Sequence, residues 1–232
     1  MIIVRLIIKI LKWMVVAFFV TTILSVVLYR FLPVCITPLM LIRTVEQVSD
    51  GKDVKLEHEW VSLDEMPVNM AKAVIASEDA NFLEHNGFDF DAIKKAVEDN
   101  KKRKNKRGAS TITQQTAKNV FLWPSRSWAR KGLEAYFTVL IELFWSKQRI
   151  IEVYLNSIEM GDGIYGVAAV AEHHFDCKPN ELKKRQCALI AASLPNPIRF
   201  NSASPSNYMR KRQRTILGEM KFVEIDEKWM AE

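Results

Sequence analysis

The sequence predicts a mainly α chain with an N-terminal transmembrane helix, and three observations carry that prediction. Trp13 to Tyr29 runs without a charge, helix-capping signals recur along the rest of the chain, and no segment alternates apolar and polar residues persuasively enough for a strand. No internal repeat appears. The 232 residues, with ordinary apolar and charged fractions, suffice for one sizeable core and argue against a disordered or fibrous class. The expected division is 1–32 for a cytoplasmic N-terminus and anchor, 33–59 for a linker, and 60–232 for the globular domain.

Counted back through Ile10 and Leu11, the apolar run is long enough to cross a hydrocarbon layer of roughly 30 Å. Lys12 intrudes only near one end, where it can snorkel. Arg5, Lys9 and Lys12 precede the run, so the excess of basic residues keeps the N-terminus in the cytoplasm and sends the chain beyond about Arg30 across the membrane. A cleaved signal peptide is the rival reading, but Arg30-Phe31-Leu32-Pro33 supplies no small-x-small site.

Beyond the anchor, Pro33 and Pro38 read as helix breaks and Arg43 to Glu59 as a polar connector with a turn at Ser49-Asp50-Gly51. Ser62-Leu63-Asp64-Glu65 is a capping box, which predicts a helix from about Leu63 to Asp79. Asp89 or Asp91 caps the next, through about Asn100; Ser110 caps a third, and Ser125 or Ser127 a long one through Trp145. Ser146 opens a helix carrying Ile150, Ile151, Tyr154 and Leu155, and Gly161-Asp162-Gly163 is a turn. Helices over Gly166 to Ala171, Asn180 to Leu194 and Asn207 to Phe222 complete the series, the last of them basic.

The net charge of +6 owes much to the run from Lys101 to Arg107. Nucleic-acid binding would want aromatic residues interleaved there, and none occurs; a solvated loop or an anionic membrane surface is the nearer reading. The three cysteines, Cys35, Cys177 and Cys187, show no metal-ligand spacing, and whether Cys177 pairs with Cys187 stays open. His173 and His174 are adjacent and so point apart on a helix, which makes metal ligation there unpromising.

Two polar clusters carry the chemistry: residues 77–87 and 108–119. Glu78 follows Val74, Ile75, Ala76 and Ser77, so its carboxylate emerges at the rim of an apolar core, where desolvation raises a carboxyl pKa into the range a general acid or base needs. A salt-bridged carboxylate is the bland alternative, although a helix C-terminus is the wrong end of the dipole for an anion. His85 reads as a hydrogen-bonded strut and Gly87 as a chain reversal. Thr111, Gln115 and Lys118 stand at i, i+4 and i+7, a hydroxyl, an amide and an ammonium suited to sugar hydroxyls and phosphate oxygens. Ser110, Thr113, Gln114 and Asn119 make that segment an unusually uncharged polar helix. Arg126, Arg130, Lys131 and Glu134 come next, with Arg130 and Glu134 at i, i+4. They form either a surface ion pair or a second carboxylate held among cations that meet a departing pyrophosphate.

Taken in order, these segments resemble the family 51 glycosyltransferases, and most closely their monofunctional biosynthetic peptidoglycan transglycosylases. The likeness covers roughly residues 60 to 215. It rests on Glu78-Asp79-x-x-Phe82-x-x-His85-x-Gly87, on the Gly108 to Asn119 segment, and on Arg130-Lys131-x-x-Glu134-Ala135. Tyr154-Leu155-Asn156 with Gly161-x-Gly163-x-x-Gly166, and Ala188 to Pro197, complete it. The resemblance implies a lysozyme-like bilobed helical fold with a smaller membrane-embedded jaw, entered through 33–59, and polymerisation of lipid II. Glu78 is then the general base and Glu134 the second essential carboxylate. Lys118, Arg126 and Lys131 are then the residues for pyrophosphate; Thr111, Gln115 and Asn119 serve the donor side, Asp79 supports Glu78, and Ser110 and Arg130 are further substrate-binding candidates.

The family implies no required cofactor, and divalent cations (Mg or Mn) only as a stimulant in some relatives. It implies a single-pass inner-membrane protein with a periplasmic catalytic domain. The partners it implies are lipid II, the growing glycan and other cell-wall synthesis or division proteins, with no nucleic acid. The penicillin-binding half of the bifunctional relatives is not expected, since Ser49-Asp50-Gly51-Lys52 fits Ser-x-x-Lys but lacks a Lys-Thr-Gly partner. The rivals are a glycan-cutting hydrolase or lytic transglycosylase, whose glutamate is a general acid, and a catalytically silent membrane scaffold.

Overall fold

Glu78 ends up where the sequence puts it, at the last residue of an apolar helix, because the core around that helix is assembled almost entirely from helices. The computed structural model describes residues 2–102, 108–125 and 127–231. In chain order the helices are α1 (Ile2–Tyr29), α2 (Pro38–Ser49), α3 (Val68–Glu78), α4 (Phe90–Lys102), α5 (Ile112–Phe121) and α6 (Trp128–Phe144). They continue with α7 (Lys147–Ser157), α8 (Gly166–Phe175), α9 (Lys184–Ser193), α10 (Asn207–Glu219) and α11 (Glu227–Met230). The chain is mainly α, as predicted.

α1 has the length and hydropathy of a membrane span, and of its residues only Val26 is buried. α3 is the opposite case. Met70, Ala71, Ala73, Val74 and Ile75 are all buried, and the helix packs against α9, whose Cys187 to Ser193 are buried as well. α5 lies between α6 and α7, so the second polar cluster faces the same core.

Several local expectations are corrected. The capping box at Ser62 closes one 3-10 turn, Leu63–Glu65, and the α-helix begins only at Val68, since Pro67 offers no N–H and takes an extended conformation before it. Pro38 does not break a helix; it is the first residue of α2, where a missing N–H costs nothing, and Thr37 caps it. α2 therefore occupies part of what reads as a polar connector. Its Leu41, Val45 and Val48 are exposed at i, i+4 and i+7. Thr111, not Ser110, is the N-cap of α5: its hydroxyl accepts from the Gln114 N–H while the Gln114 side chain reaches back to the Thr111 N–H. Ser127 caps α6, which stops one residue short of Trp145.

A small sheet escapes the sequence patterns altogether. β1 (Glu57–His58) pairs parallel to β3 (Ile164–Tyr165), and β3 pairs antiparallel to β2 (Glu159–Gly161), in the order β1-β3-β2. Strands of two or three residues are too short to show a period. The turn between β2 and β3 is the expected one at Gly161 to Gly163.

α7 fixes the approach to α3. The Asn156 amide donates to Val61 O (2.8 Å) and its oxygen accepts from Val61 N–H (3.0 Å), while Glu152 Oε1 accepts from Leu63 N–H (3.2 Å).

Candidate functional site

The site is built where the end of α3, the buried side of α5 and the first turns of α6 converge. Glu78 is the last residue of α3, and Asp79 leaves the helix with an extended φ of −159°. That turn separates the two carboxylates. Asp79 points into the protein, where Oδ1 pairs with His85 Nε2 at 2.8 Å and Oδ2 accepts from the Ile112 N–H at 2.9 Å. His85 Nδ1 accepts from the Gly87 N–H at 3.1 Å, so the ring proton sits on Nε2 and is donated to Asp79. Asp79 thereby ties the end of α3 to the start of α5.

Gly87 is required at its position. Its φ is +82°, and a Cβ there would lie 2.6 Å from a Thr138 methyl and 2.9 Å from the Glu142 side chain. Its carbonyl accepts from the Thr111 hydroxyl at 2.7 Å. Thr111, expected on the ligand-facing side of α5, is therefore engaged as a cap and as a strut.

Glu78 points the other way and stays 15% exposed at its side chain. Its Oε2 accepts from Gln115 Nε2 at 3.1 Å, and Gln115 Oε1 in turn accepts from the Tyr154 hydroxyl at 3.2 Å, which fixes the orientation of the amide. Burial, and secondarily the charges of Glu78 and Asp79, push the Tyr154 phenol well above its usual value, so it remains a donor. Gln115, read from sequence as a substrate contact, is placed against the catalytic candidate itself.

One residue near Glu78 escapes sequence reasoning. Arg212 on α10 brings a guanidinium nitrogen to 3.8 Å from Glu78 Oε1, and its Nε is buried without a hydrogen-bond partner among the described residues. The signal is present only as a basic helix: Arg210, Lys211, Arg212 and Arg214 lie close together, and nothing local says which turns inward.

The second carboxylate is furnished differently. Glu134 is 3% exposed in the middle of α6. Its Oε2 accepts from Arg130 at 2.6 Å, and its Oε1 is engaged by Lys131. Arg130 is itself held by Ser125 O. The pair is buried and hence more than a surface pair at helical spacing. Lys118 lies among these groups: burial lowers its pKa, Glu134 counteracts, Arg130 and Lys131 lower it further, and Glu78 counteracts again. One ammonium on α5 thus feels both carboxylates and both neighbouring cations. Asn119 is buried beside it, Ser110 is exposed, and Arg126 lies outside the described residues.

A divalent cation has no evident seat at Glu134, since both of its oxygens already face a cation. Asp79, His85 and Asp89 bring ligand atoms within 4.8 Å of one another. Their donors are spoken for: Asp89 accepts from Asn81 at 2.8 Å and from the Ala92 N–H at 2.7 Å, and the ring nitrogen facing Asp79 donates to it.

The arrangement offers a carboxylate at the rim of an apolar core, able to take a proton, and a partly buried cationic group able to hold an anion. Comparisons with known proteins bear on what this arrangement belongs to. Residues 44–221 match the family model described as Transglycosylase. The chain is 63% identical over 206 residues to the biosynthetic peptidoglycan transglycosylase of Bacteroides thetaiotaomicron, covering 89% of this chain and 83% of that one. It is 56% identical over 212 residues to the protein of the same name from Bdellovibrio bacteriovorus, covering 90% and 85%. With that of Caulobacter vibrioides it shares 51% over 194 residues, covering 84% and 82%.

Proposed function

The chain belongs to the transglycosylase family, and from that premise we propose that it is a peptidoglycan glycosyltransferase that polymerises lipid II into β-1,4 glycan with release of undecaprenyl pyrophosphate. Glu78 is the general base. It takes the proton from the 4-hydroxyl of the acceptor sugar as that oxygen attacks C1 of the donor chain's terminal sugar. The C1–oxygen bond to the lipid diphosphate breaks, the configuration at C1 inverts, and the bonding pair leaves with the diphosphate. Lys118, Arg130 and Lys131 meet the charge that develops there, which is where fixed cations accelerate a reaction most. Arg126 is assigned to the same task by the resemblance of its sequence segment alone.

The single observation that carries this reading is the cationic group around Glu134: Arg130 and Lys131 engage its two oxygens, and half-buried Lys118 on α5 feels the same carboxylate. A glycan hydrolase works on a neutral linkage and has no use for such a site. Glu134, held by Arg130 and Lys131, orders those cations. Asp79 supports Glu78 by fixing the joint below it, and Gln115 orients the base. Arg212 sets its charge against the other oxygen of Glu78, at 3.8 Å. Ser110, Thr111 and Asn119 shape the donor side, Thr111 through the backbone it caps. No cofactor is required by these steps, and none is routed through a metal.

The exposed apolar stripe of α2 (Leu41, Val45, Val48) and α1 together fit a single-pass protein whose catalytic domain rests on the outer, periplasmic face of the inner membrane, close to a lipid-linked substrate. Transpeptidation is not part of the proposal: the lone Ser-x-x-Lys match, Ser49 to Lys52, straddles the end of α2, and Gly51 there has a positive φ. Cell-wall synthesis or division proteins are the partners this role would bring.

The test is incubation of the full-length protein in detergent with labelled lipid II, the products being resolved by gel and digested with muramidase. A muramidase-sensitive ladder is expected. Intact lipid II together with cleavage of preformed glycan would replace this reading with the lytic one.

A further inference from the structure

The anchor is docked on the catalytic domain by side chains, along one face. Thr22 Oγ1 shares a hydrogen bond of 2.8 Å with the Tyr136 hydroxyl, whose ring also lies 5.8 Å from those of Phe18 and Phe19. Trp145 Nε1 donates to Val26 O at 2.8 Å, and the Tyr29 ring packs 5.9 Å from Phe121. Positions 18, 22, 26 and 29 recur at helical spacing. Among the described residues the other faces of α1 stay exposed.

The end of α1 is held most firmly. The last carbonyls of a helix lack internal partners and carry its negative pole. Arg149 supplies both a donor set and a charge: Nε and a terminal nitrogen donate to Tyr29 O at 3.0 and 2.7 Å, and the terminal nitrogen also reaches Leu32 O. The same guanidinium pairs with Glu152 at 2.6 Å and covers the Trp60 ring at 5.1 Å. A planar guanidinium can satisfy carbonyls and carboxylate at once, which a single ammonium cannot.

Arg149 lies in the first turn of α7, two residues from Lys147. Lys147 Nζ donates to His85 O at 2.7 Å, pairs with Glu142 at 2.9 Å and sits 4.6 Å from the centre of the Phe82 ring. One turn of one helix therefore holds the end of the anchor and the loop beyond Glu78. Through Glu152 and Asn156 the same helix also holds the chain entering α3.

We propose that Arg149 is a positioning residue that locks the outer half of the anchor to α7, so that the anchor and the frame around Glu78 move as one body and the anchor sets the height of the site above the bilayer. A lipid-linked substrate has its reactive carbon at a fixed height, so a loosened anchor weakens capture more than chemistry. This consequence rests on the lipid II reading; the docking itself does not.

The experiment uses full-length protein in nanodiscs of phosphatidylethanolamine and phosphatidylglycerol, with Cys35→Ser, Cys177→Ser and Cys187→Ala as background and spin labels at Val20→Cys and Lys184→Cys. The distance distribution between labels is expected to be narrow in that background and broad with Arg149→Gln. Arg149→Lys, which keeps a charge for Glu152, should lie between and serves as the deciding variant if Arg149→Gln does not fold. An unbroadened distribution in the variants overturns the docking. On lipid II in the same nanodiscs, Arg149→Gln should raise KM about 10-fold with kcat within about 3-fold, and the difference should vanish in micelles. An equal loss in micelles and bilayer, or no loss in either, overturns the positioning role. If the unmodified enzyme leaves lipid II untouched, the proposed function fails while the distance measurement still decides the docking.

Discussion

The two carboxylates of the site differ in what surrounds them more than in their chemistry. Glu78 sits at a helix end, partly exposed, where it accepts a hydrogen bond from a neutral amide and has a guanidinium nitrogen at 3.8 Å. Glu134 sits in mid-helix, almost fully buried, with Arg130 and Lys131 on its two oxygens. A proton acceptor needs an accessible lone pair and a neighbourhood that tolerates both protonation states. An anchor for cations needs the reverse, a charge that stays matched to its partners, since removing one partner of a buried pair leaves the other uncompensated. On the proposed function this is a division of labour: one end of the site moves a proton, and the other holds charge still.

The largest effect that can break this comparison is on turnover. Glu78→Gln keeps the shape and loses the base, so polymerisation should fall by about 10²–10⁴-fold with an unchanged thermal melt. If Glu134→Gln instead proves to be the variant with intact fold, intact binding and no turnover, the roles are reversed.

Lys118 should show opposite signs in function and stability. Burial disfavours the charge on its ammonium and lowers its pKa. Lys118→Gln is expected to lower kcat/KM by about 10²-fold while raising stability by roughly 1 kcal/mol. Burial depresses the folded pKa below the ordinary lysine value of 10.5, so the cation's contribution to binding is present below the folded pKa and is lost as pH rises through it. Between the folded and unfolded values the unfolded chain binds more protons, and stability rises with pH there. The check is an alkaline limb in KM that begins below the ordinary lysine range and disappears in Lys118→Gln.

Arg130→Ala probes the static end directly. With Glu134 left buried without its guanidinium partner, a loss of about 3 kcal/mol of stability is expected in chemical denaturation. A loss below about 0.5 kcal/mol would place the pair among surface pairs and remove the contrast.

The smallest expected effect is at the orienting amide. Tyr154→Phe removes the hydroxyl that fixes Gln115, and about 1 kcal/mol is expected in stability, with a few-fold drop in kcat and KM unchanged. A change in KM instead would mean that Gln115 contacts substrate more than it orients Glu78.

Much of this contrast is legible in the sequence. The apolar residues before Glu78 place it at the end of a buried helix, and the spacing of Arg130 and Glu134 gives their pairing. Burial is not legible, because the same i, i+4 pair occurs on surfaces, and what decides is the packing of α5 against α6. Nor is the bond between Gln115 and Glu78, which joins residues 37 apart through the tertiary fold. Ser110 and Thr111 offer the same hydroxyl one residue apart, and the reciprocal bonds with Gln114 together with the bond to Gly87 O select the second as cap. Pro38 reads equally well as a break and as a helix start, and Arg212 is singled out from its basic neighbours only by where α10 lies against α3.

The most direct measurement of the division of labour is lipid II binding and turnover by Glu78→Gln in one nanodisc preparation. The account predicts a dissociation constant within about 3-fold of the unmodified enzyme and turnover reduced at least about 100-fold, because the cations at Lys118, Arg130 and Lys131 still hold the diphosphate while the proton has nowhere to go. Turnover near the unmodified level, or binding lost in proportion to turnover, would contradict it.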